Sequence, residues 1–327
     1  MMAHSTSAEE IRLLTKVSKL YYEERMRQDE IVSRLNLSRS KVSRLLQQAR
    51  DEGVVRITVF EPSGIYTDLE TKLEKRYHLQ EAIVVEAHQP ENQAIVSREI
   101  GVAAASYFAR TVRSDDTIGI SWGSTLNEMV EELEPMDLPN VQVVQIIGGL
   151  GRPESEMHAT DLCRRMARRL NCKMTLLPVP GIVDDQNTRA AFLSDSHVQN
   201  AINLFSKIRL AVVGIGAPSP DSVVMRDGEI LSSDEMENLV RLGAVGDIAL
   251  RYFDAYGESV NTELDQRVIG MGLAELAKVE RVVGVTGGPW KKSAILGALR
   301  GNLINVLITD HVTATHLLEA DPKFKAR

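Results

Sequence analysis

Residues 28–57 read QDEIVSRLNLSRSKVSRLLQQARDEGVVRI. Ser38 is a good N-cap, because its hydroxyl can accept from the free N–H groups of a helix start. Gly53 suits the position just past a helix end. Between them Val42, Leu45, Leu46 and Ala49 recur at i, i+3, i+4 and i+7, which is one buried stripe. Ser40, Ser43, Arg44 and Gln47 share the opposite face. Arginine suits guanine, glutamine suits adenine, and serine suits either. Arg39 and Arg50 flank that face, where phosphates would lie. A shorter helix precedes it from about residue 28 to 35, with a turn at 36–38. An earlier helix within 9–24 carries Ile11, Leu14, Val17, Leu20 and Tyr21 at helical spacing. Helix, short helix, tight turn and helix form the helix-turn-helix arrangement. The β-branched run 54–60 predicts the strand of a wing. The competing reading is a helical hairpin with a solvated basic face. Ser38, Arg39, Ser40, Lys41, Ser43, Arg44, Gln47 and Arg50 are the candidate DNA contacts.

Charge is divided unevenly along the chain. Arg34 to Arg50 holds five basic residues and no acid. Residues 1–60 hold 11 Lys/Arg and 8 Asp/Glu, and the remainder holds 27 and 37. A locally basic head on an acidic body suggests one module that meets a polyanion and another with a different task.

The length of 327 residues suggests about two domains. The sequence is 43% hydrophobic and 25% charged, as in ordinary globular proteins. No apolar run approaches the ~18 residues of a membrane span, and residues 1–10 lack the regions of a secretory signal. Cys163 and Cys172 cannot make a disulfide framework, and no zinc-ligand spacing occurs, so no metal or cofactor is expected. A reducing, cytoplasmic setting fits.

Pro62-Ser63-Gly64 marks a linker, and an amphipathic helix follows at 66–78 with Leu69, Leu73 and Tyr77. Beyond residue 80, short apolar runs at 82–85, 117–121, 141–147, 174–179, 210–215, 281–285 and 306–309 alternate with helical stretches. That rhythm predicts an α/β domain with a mostly parallel sheet. The expected division is a winged helix-turn-helix at 1–60, a linker and oligomerisation helix at 61–80, and an effector domain at 81–327.

The head resembles that of the SorC-type (SorC/DeoR) sugar-responsive bacterial regulators. The resemblance continues through IGISWGSTL (118–126), VVQIIGGLG (143–151), VVGIGAP (212–218), AVGDIALRYFDAYG (244–257), VVGVTGG (282–288) and LGALRGNLINVLITD (296–310). It implies a winged helix-turn-helix joined to a Rossmann-like α/β domain similar to the sugar-phosphate isomerase/CoA-transferase fold. It also implies a tetrameric repressor that binds operator DNA and a phosphorylated sugar.

The effector domain has its own chemistry. Strand 117–121 runs into Trp122-Gly123-Ser124-Thr125 and a helix. Free N–H groups at a helix start, with two hydroxyls beside them, suit a phosphate, and a capped strand-to-helix turn is the alternative. Lys291 and Lys292 stand near another helix start, where cations oppose the dipole unless an anion is present; the resemblance makes Lys291 phosphate-facing. Asp247 reads as the N-cap of a helix at 248–253 or as an acceptor for sugar hydroxyls, and the resemblance favours the latter. Gly148, Gly149 and Leu150 offer backbone donors, and Arg226 is a weaker anion candidate. The basic helix patch of Arg164, Arg165, Arg168 and Arg169 reads as a solvated face. His158 and His197 read as surface or capping residues, and Trp122 and Trp290 as core. The alternative function is an isomerase-like enzyme with a helical oligomerisation head. It lacks a second carboxylate beside Asp247, and Ile147 leaves no lysine for a Schiff base.

Overall fold

The computed structural model describes residues 8–57, 62, 64–149, 159–219 and 230–320. The chain divides into two compact units, residues 1–61 and 62–327.

The first unit is helical. Helix α1 (Ala8–Ser18) continues into a π-helical turn (Lys19–Glu23), followed by α2 (Gln28–Leu35) and α3 (Arg39–Asp51). Asn36 ends α2 in the left-handed region at φ 51° and reverses the chain. Ser38 accepts a hydrogen bond from the Lys41 N–H at 3.2 Å and so starts α3. Gly53 closes it at φ 72°. Leu14, Val17, Leu20, Ile31, Val42, Leu45, Leu46 and Ala49 form one core. Ile11, on the same sequence periodicity, is 45% exposed. The expected strand at 54–60 is not found over 54–57, where the chain bends. Residues 58–60 lie outside the described residues, so no wing strand is assigned.

The second unit is built on a seven-stranded parallel sheet. Its strands are β1 (Glu81–Val85), β2 (Thr117–Ile120), β3 (Gln142–Gln145), β4 (Lys173–Thr175), β5 (Leu210–Val213), β8 (Arg281–Val285) and β9 (Val306–Asp310). Their order across the sheet is β1-β9-β8-β5-β2-β3-β4. A separate antiparallel hairpin joins β6 (Gly246–Ile248) to β7 (Arg251–Phe253). Alternation along β5 sends Leu210 and Val212 into one core layer and Ala211 and Val213 into the other. The sheet is therefore covered on both faces, as the β-branched runs require. One face carries α5 (Gln93–Thr111), α6 (Ser124–Glu132) and α7 (Ala159–Arg169). The other carries α4 (Thr67–Tyr77), α9 (Ser196–Ile202), α10 (Ser233–Arg241), α12 (Lys292–Arg300) and α13 (His311–Ala320). Helix α8 (Gln186–Ser194) and the single turn α11 (Leu273–Leu276) complete the α-helices among the described residues.

Helix α4, expected to serve oligomerisation, belongs to this unit. Its apolar stripe faces inward: Leu73 and Tyr77 are buried in the core, and the Tyr77 hydroxyl donates to the Leu317 carbonyl at 2.9 Å. Its Glu70 and Glu74 carboxylates accept from the Val84 and Ala82 N–H groups of β1, at 2.9 and 3.0 Å. At the amino ends of the central strands, the Arg209 guanidinium embraces the buried Asp116 carboxylate. Burial pushes the Asp116 carboxyl up. The Arg209 guanidinium and the Arg113 N–H outweigh that and hold it below its usual value.

The chain winds outward from β2 through β3 to β4, and in the opposite direction from β5 through β8 to β9. The reversal lies between β2 and β5, and open α/β sheets bind ligands at the carboxyl ends of the strands flanking such a point.

Candidate functional site

In the head, the eight candidate DNA contacts are all exposed on or beside α3, while Val42, Leu45, Leu46 and Ala49 are buried. Ser38 uses its hydroxyl as the cap and lies 3.1 Å from the Ser40 hydroxyl. The Arg44 Nε donates to the Ser40 carbonyl at 3.3 Å, so its guanidinium lies along the exposed face. Gln47 donates to Asp51 at 2.8 Å and accepts from Arg50, which also reaches the Tyr22 hydroxyl at 3.1 Å. Arg39 stands 3.7 Å from Asp29 in an exposed pair. Such pairs are weak, so phosphates and bases can displace them. Lys41 and Ser43 project from the same helix.

In the second unit, the turns after β2, β5 and β8 meet at the point of reversal. Gly123 holds φ 134° and ψ 160°, a region open essentially to glycine, and an added Cβ there would meet nothing within 4 Å. It caps α6 without a side-chain hydrogen bond to the helix start. Open space therefore adjoins the start of α6, where the first N–H groups of a helix have no partner within the helix. Ser124 is half-buried, and its hydroxyl has no partner among the described residues. Thr125 departs from expectation. The residue is 3% exposed and its hydroxyl donates to Ser97 of α5 at 3.2 Å, so only its backbone is left for an anion.

Asp247 does not start a helix. It lies in β6 of the hairpin, and its carboxylate accepts from the Leu250 N–H at 3.0 Å, which ties the turn. Ala249 and Leu250 in that turn hold φ 53° and 61°. Asp247 also exchanges backbone hydrogen bonds with Gly216 after β5, at 2.9 and 3.1 Å. A Cβ on Gly216 would lie 2.0 Å from the Asp247 Oδ1. The GIG motif after β5 therefore lets the acid approach, a role the sequence reading missed. Burial pushes the Asp247 carboxyl up to about 6, while the Leu250 N–H and the Lys291 charge draw it down. Lys291, at the start of α12, is half-buried. Burial lowers its pKa, and the Asp247 charge opposes that. The two groups feel each other's charge, yet the Lys291 ammonium makes no hydrogen bond or ion pair among the described residues. A buried acid and a half-buried cation without an ion pair, both at the carboxyl ends of the strands, offer an acceptor and a donor to a ligand.

Other candidates fare differently. The Gly148 and Gly149 N–H groups already donate to the Ile269 and Val179 carbonyls, at 3.0 and 2.8 Å. They are not free donors, because the loop after β3 is knitted to neighbouring loops. Leu150, His158 and Arg226 lie outside the described residues. Trp122 is half-buried against the core. Trp290, expected in the core, is 78% exposed beside Lys291, because it sits on the loop before α12 rather than within an element. Arg165 and Arg169 are engaged with Glu131 on α6. His197 lies in α9, and its N–H is capped by Asp195 at 2.8 Å. No group of three or more potential metal ligands occurs among the described residues. No helix there is long and apolar enough to cross a membrane.

Comparison with known proteins identifies the family. A family model described as "Putative sugar-binding domain" matches residues 63–319. A second, described only as a domain of unknown function, matches residues 16–59. The chain is 32% identical to the deoxyribonucleoside regulator of Bacillus subtilis, over 95% of this chain and 98% of that protein. It is 32% identical to the sorbitol operon regulator of Klebsiella pneumoniae, over 96% and 99%. The crystal structure of full-length SorC from Klebsiella pneumoniae matches with a TM-score of 0.72 and 31% identity, over 95% of this chain and 100% of that one. A DeoR family regulator from Listeria monocytogenes matches with a TM-score of 0.71 and 28% identity, over 77% and 99%. The chain belongs to the SorC-type family of sugar-binding transcriptional regulators.

Proposed function

We propose that this regulator is a repressor whose head binds operator DNA through α3 and whose larger unit binds a phosphorylated sugar. The observation that carries the reading is the meeting of Gly123, Asp247 and Lys291 at the point of reversal. The phosphate sits on the Gly123–Thr125 turn, held by backbone N–H groups, the Ser124 hydroxyl and Lys291. Asp247 accepts from the sugar hydroxyls. The protein acts as a cytoplasmic homo-oligomer, a tetramer as the family resemblance implies. Regulation rather than catalysis is the reading that the relatives support, since those described above are named as operon or nucleoside regulators.

The ligand shifts the DNA-binding equilibrium only by its differential affinity for the two states. Lys291→Ala therefore weakens effector binding by roughly 1.5–3 kcal/mol, the scale of a charge-assisted contact. Operator affinity without effector stays near wild type. A thermal-shift screen of pentose and hexose phosphates checks this, with Trp290 fluorescence as a second readout. A ligand at ~100 times its dissociation constant adds about 2.7 kcal/mol of stability. Free sugars give much less. A full shift with Lys291→Ala places the phosphate elsewhere, and turnover of any of these compounds points to the isomerase reading.

In the head, Arg44→Ala costs on the order of 1–3 kcal/mol at the cognate site and relaxes specificity at one position. Arg39→Ala weakens all sequences alike and flattens the dependence on salt. Gel shifts with the upstream DNA of the protein's own operon measure both. Unchanged binding by both variants would remove α3 from the DNA interface.

A further inference from the structure

Helix α5 carries a polar pair at its start, Gln93 half-buried and Ser97 buried. Asn92 caps the helix by accepting from the Ala94 and Ile95 N–H groups, at 3.1 and 3.4 Å. One turn apart on one face stand Gln93 and Ser97, followed by Gly101. The Gln93 side-chain amide uses its nitrogen twice. It donates to the Gly287 carbonyl at 3.1 Å and to the Ser97 hydroxyl at 3.2 Å. Ser97, 2% exposed, also accepts from the Thr125 hydroxyl at 3.2 Å. A continuous chain thus runs from the loop that carries Lys291 to the turn that starts α6. Gly101 extends the same face. A Cβ there would lie 2.6 Å from the Glu128 Cβ and 2.9 Å from the Met129 backbone nitrogen, so α5 and α6 touch almost backbone to backbone.

We propose that Gln93 and Ser97 are positioning residues that fix the separation between the phosphate-binding turn and the Lys291 loop. The proposal rests on the phosphate reading of that turn. The four-residue spacing on a rigid helix sets a rise of about 6 Å between the two anchors. Neither residue touches the ligand. Each holds a segment that carries a donor, the start of α6 or the loop of Lys291, and a small misplacement of such donors is enough to weaken binding. The two hydrogen bonds of Ser97 and the two of Gln93 are cooperative, since removing either residue leaves buried donors without acceptors or frees one end of the chain. The β8–α12 loop is clamped independently from its other side. There Gly288 donates to Asp310 at 2.9 Å and to the Thr313 hydroxyl at 3.0 Å. Releasing Gln93 therefore shifts the loop without unfolding it.

The experiment titrates the full-length protein with inorganic phosphate, monitored by thermal shift and by ³¹P NMR, against chloride at equal ionic strength. Gln93→Met and Ser97→Ala each raise the phosphate dissociation constant about five- to tenfold, the effect of about one hydrogen bond's worth of misalignment. Ser97→Thr, which keeps the hydroxyl, restores near-wild-type affinity. Because breaking either end releases the same spacing, the double variant is no worse than the singles. Additive losses in the double variant, or dissociation constants equal to wild type while only the ligand-free melting temperature falls, overturn the proposal and leave a merely structural pair. Lys291→Ala is the separate arm. If it weakens phosphate binding while the α5 variants do not, the positioning role alone fails. If it and the wild type respond to phosphate alike, or the wild type does not respond, the phosphate site fails and the positioning role with it.

Discussion

At pH 7.5 the Asp247→Asn protein melts above the wild type by roughly 5 °C or more, while its response to effector is lost. Asp247 is 6% exposed, and burial pushes its carboxyl from 3.8 up to about 6. A shift of that size corresponds to about 3 kcal/mol of preference for the protonated form. The sign follows from the direction. Below pH 3.8 the folded and unfolded chains both hold the proton and the carboxyl costs nothing. As pH rises toward 6 the unfolded chain releases its proton first, and folded stability is lost across that window. Above pH 6 the loss is complete. Asparagine removes it, and its side-chain oxygen still accepts from the Leu250 N–H. The advantage is therefore greatest above pH 6, smaller at pH 5 and gone below 3.8. Lys291 loses a neighbouring anion in the exchange, so about 3 kcal/mol is an upper bound. Calorimetry from pH 4 to 8 measures the curve. A variant less stable than wild type at pH 7.5, or a difference that does not change with pH, contradicts an uncompensated buried carboxylate. An acid kept in a site that destabilises it marks binding rather than folding, which is the trade commonly made at functional sites.

Arg209→Met has the larger effect and the opposite sign. It removes the guanidinium from a carboxylate whose side chain is 3% exposed. Breaking a buried pair from one side costs about 3–5 kcal/mol, because the remaining charge is left unpaired. In the wild type the Asp116 carboxyl is held low, so its stabilisation is present above pH 3.8 and is lost as pH falls through its lowered value. In the variant Asp116 gains from protonation instead. The urea midpoint deficit is thus largest at neutral pH and shrinks toward pH 4. A deficit that is small at pH 7, or that grows on acidification, would show that Arg209 acts through packing alone. The pair lies at the amino ends of β2 and β5, the opposite end of the strands from Gly123, so effector affinity is unaffected.

The sequence made some of this architecture readable and concealed the rest for physical reasons. The stripe of α3 was legible because its spacing, its cap and its closing glycine agree, and agreement across levels is what specifies a fold. The order of strands after residue 80 was legible as buried β-branched runs. The segment VGDIALRYF was not. Ala, Leu and Arg favour helix, and nothing in an Ala-Leu pair announces a turn with both residues left-handed. The fold imposes that turn by tying Asp247 to Gly216 and to the Leu250 N–H. Donor availability was equally hidden. Gly148, Gly149 and the Thr125 hydroxyl have suitable chemistry, but their partners lie on segments distant in sequence. Helix α4 showed its apolar stripe plainly, and only the contacts of Leu73 and Tyr77 reveal that the stripe faces inward. Gln93 and Ser97 left one signal, two polar residues one turn apart on an apolar helix.

The carboxylates of Glu70 and Glu74 have a consequence for assembly. An exposed parallel edge is a template on which another chain can add a strand and extend the sheet without limit. Here the outward amides of β1 at Ala82 and Val84 are already occupied by a helix of the same chain. Copies of the protein cannot join through β1 into a continuous ribbon. Contact on that side is left to side-chain surfaces rather than to the backbone of the sheet, the kind of surface on which closed rather than endless assemblies are built.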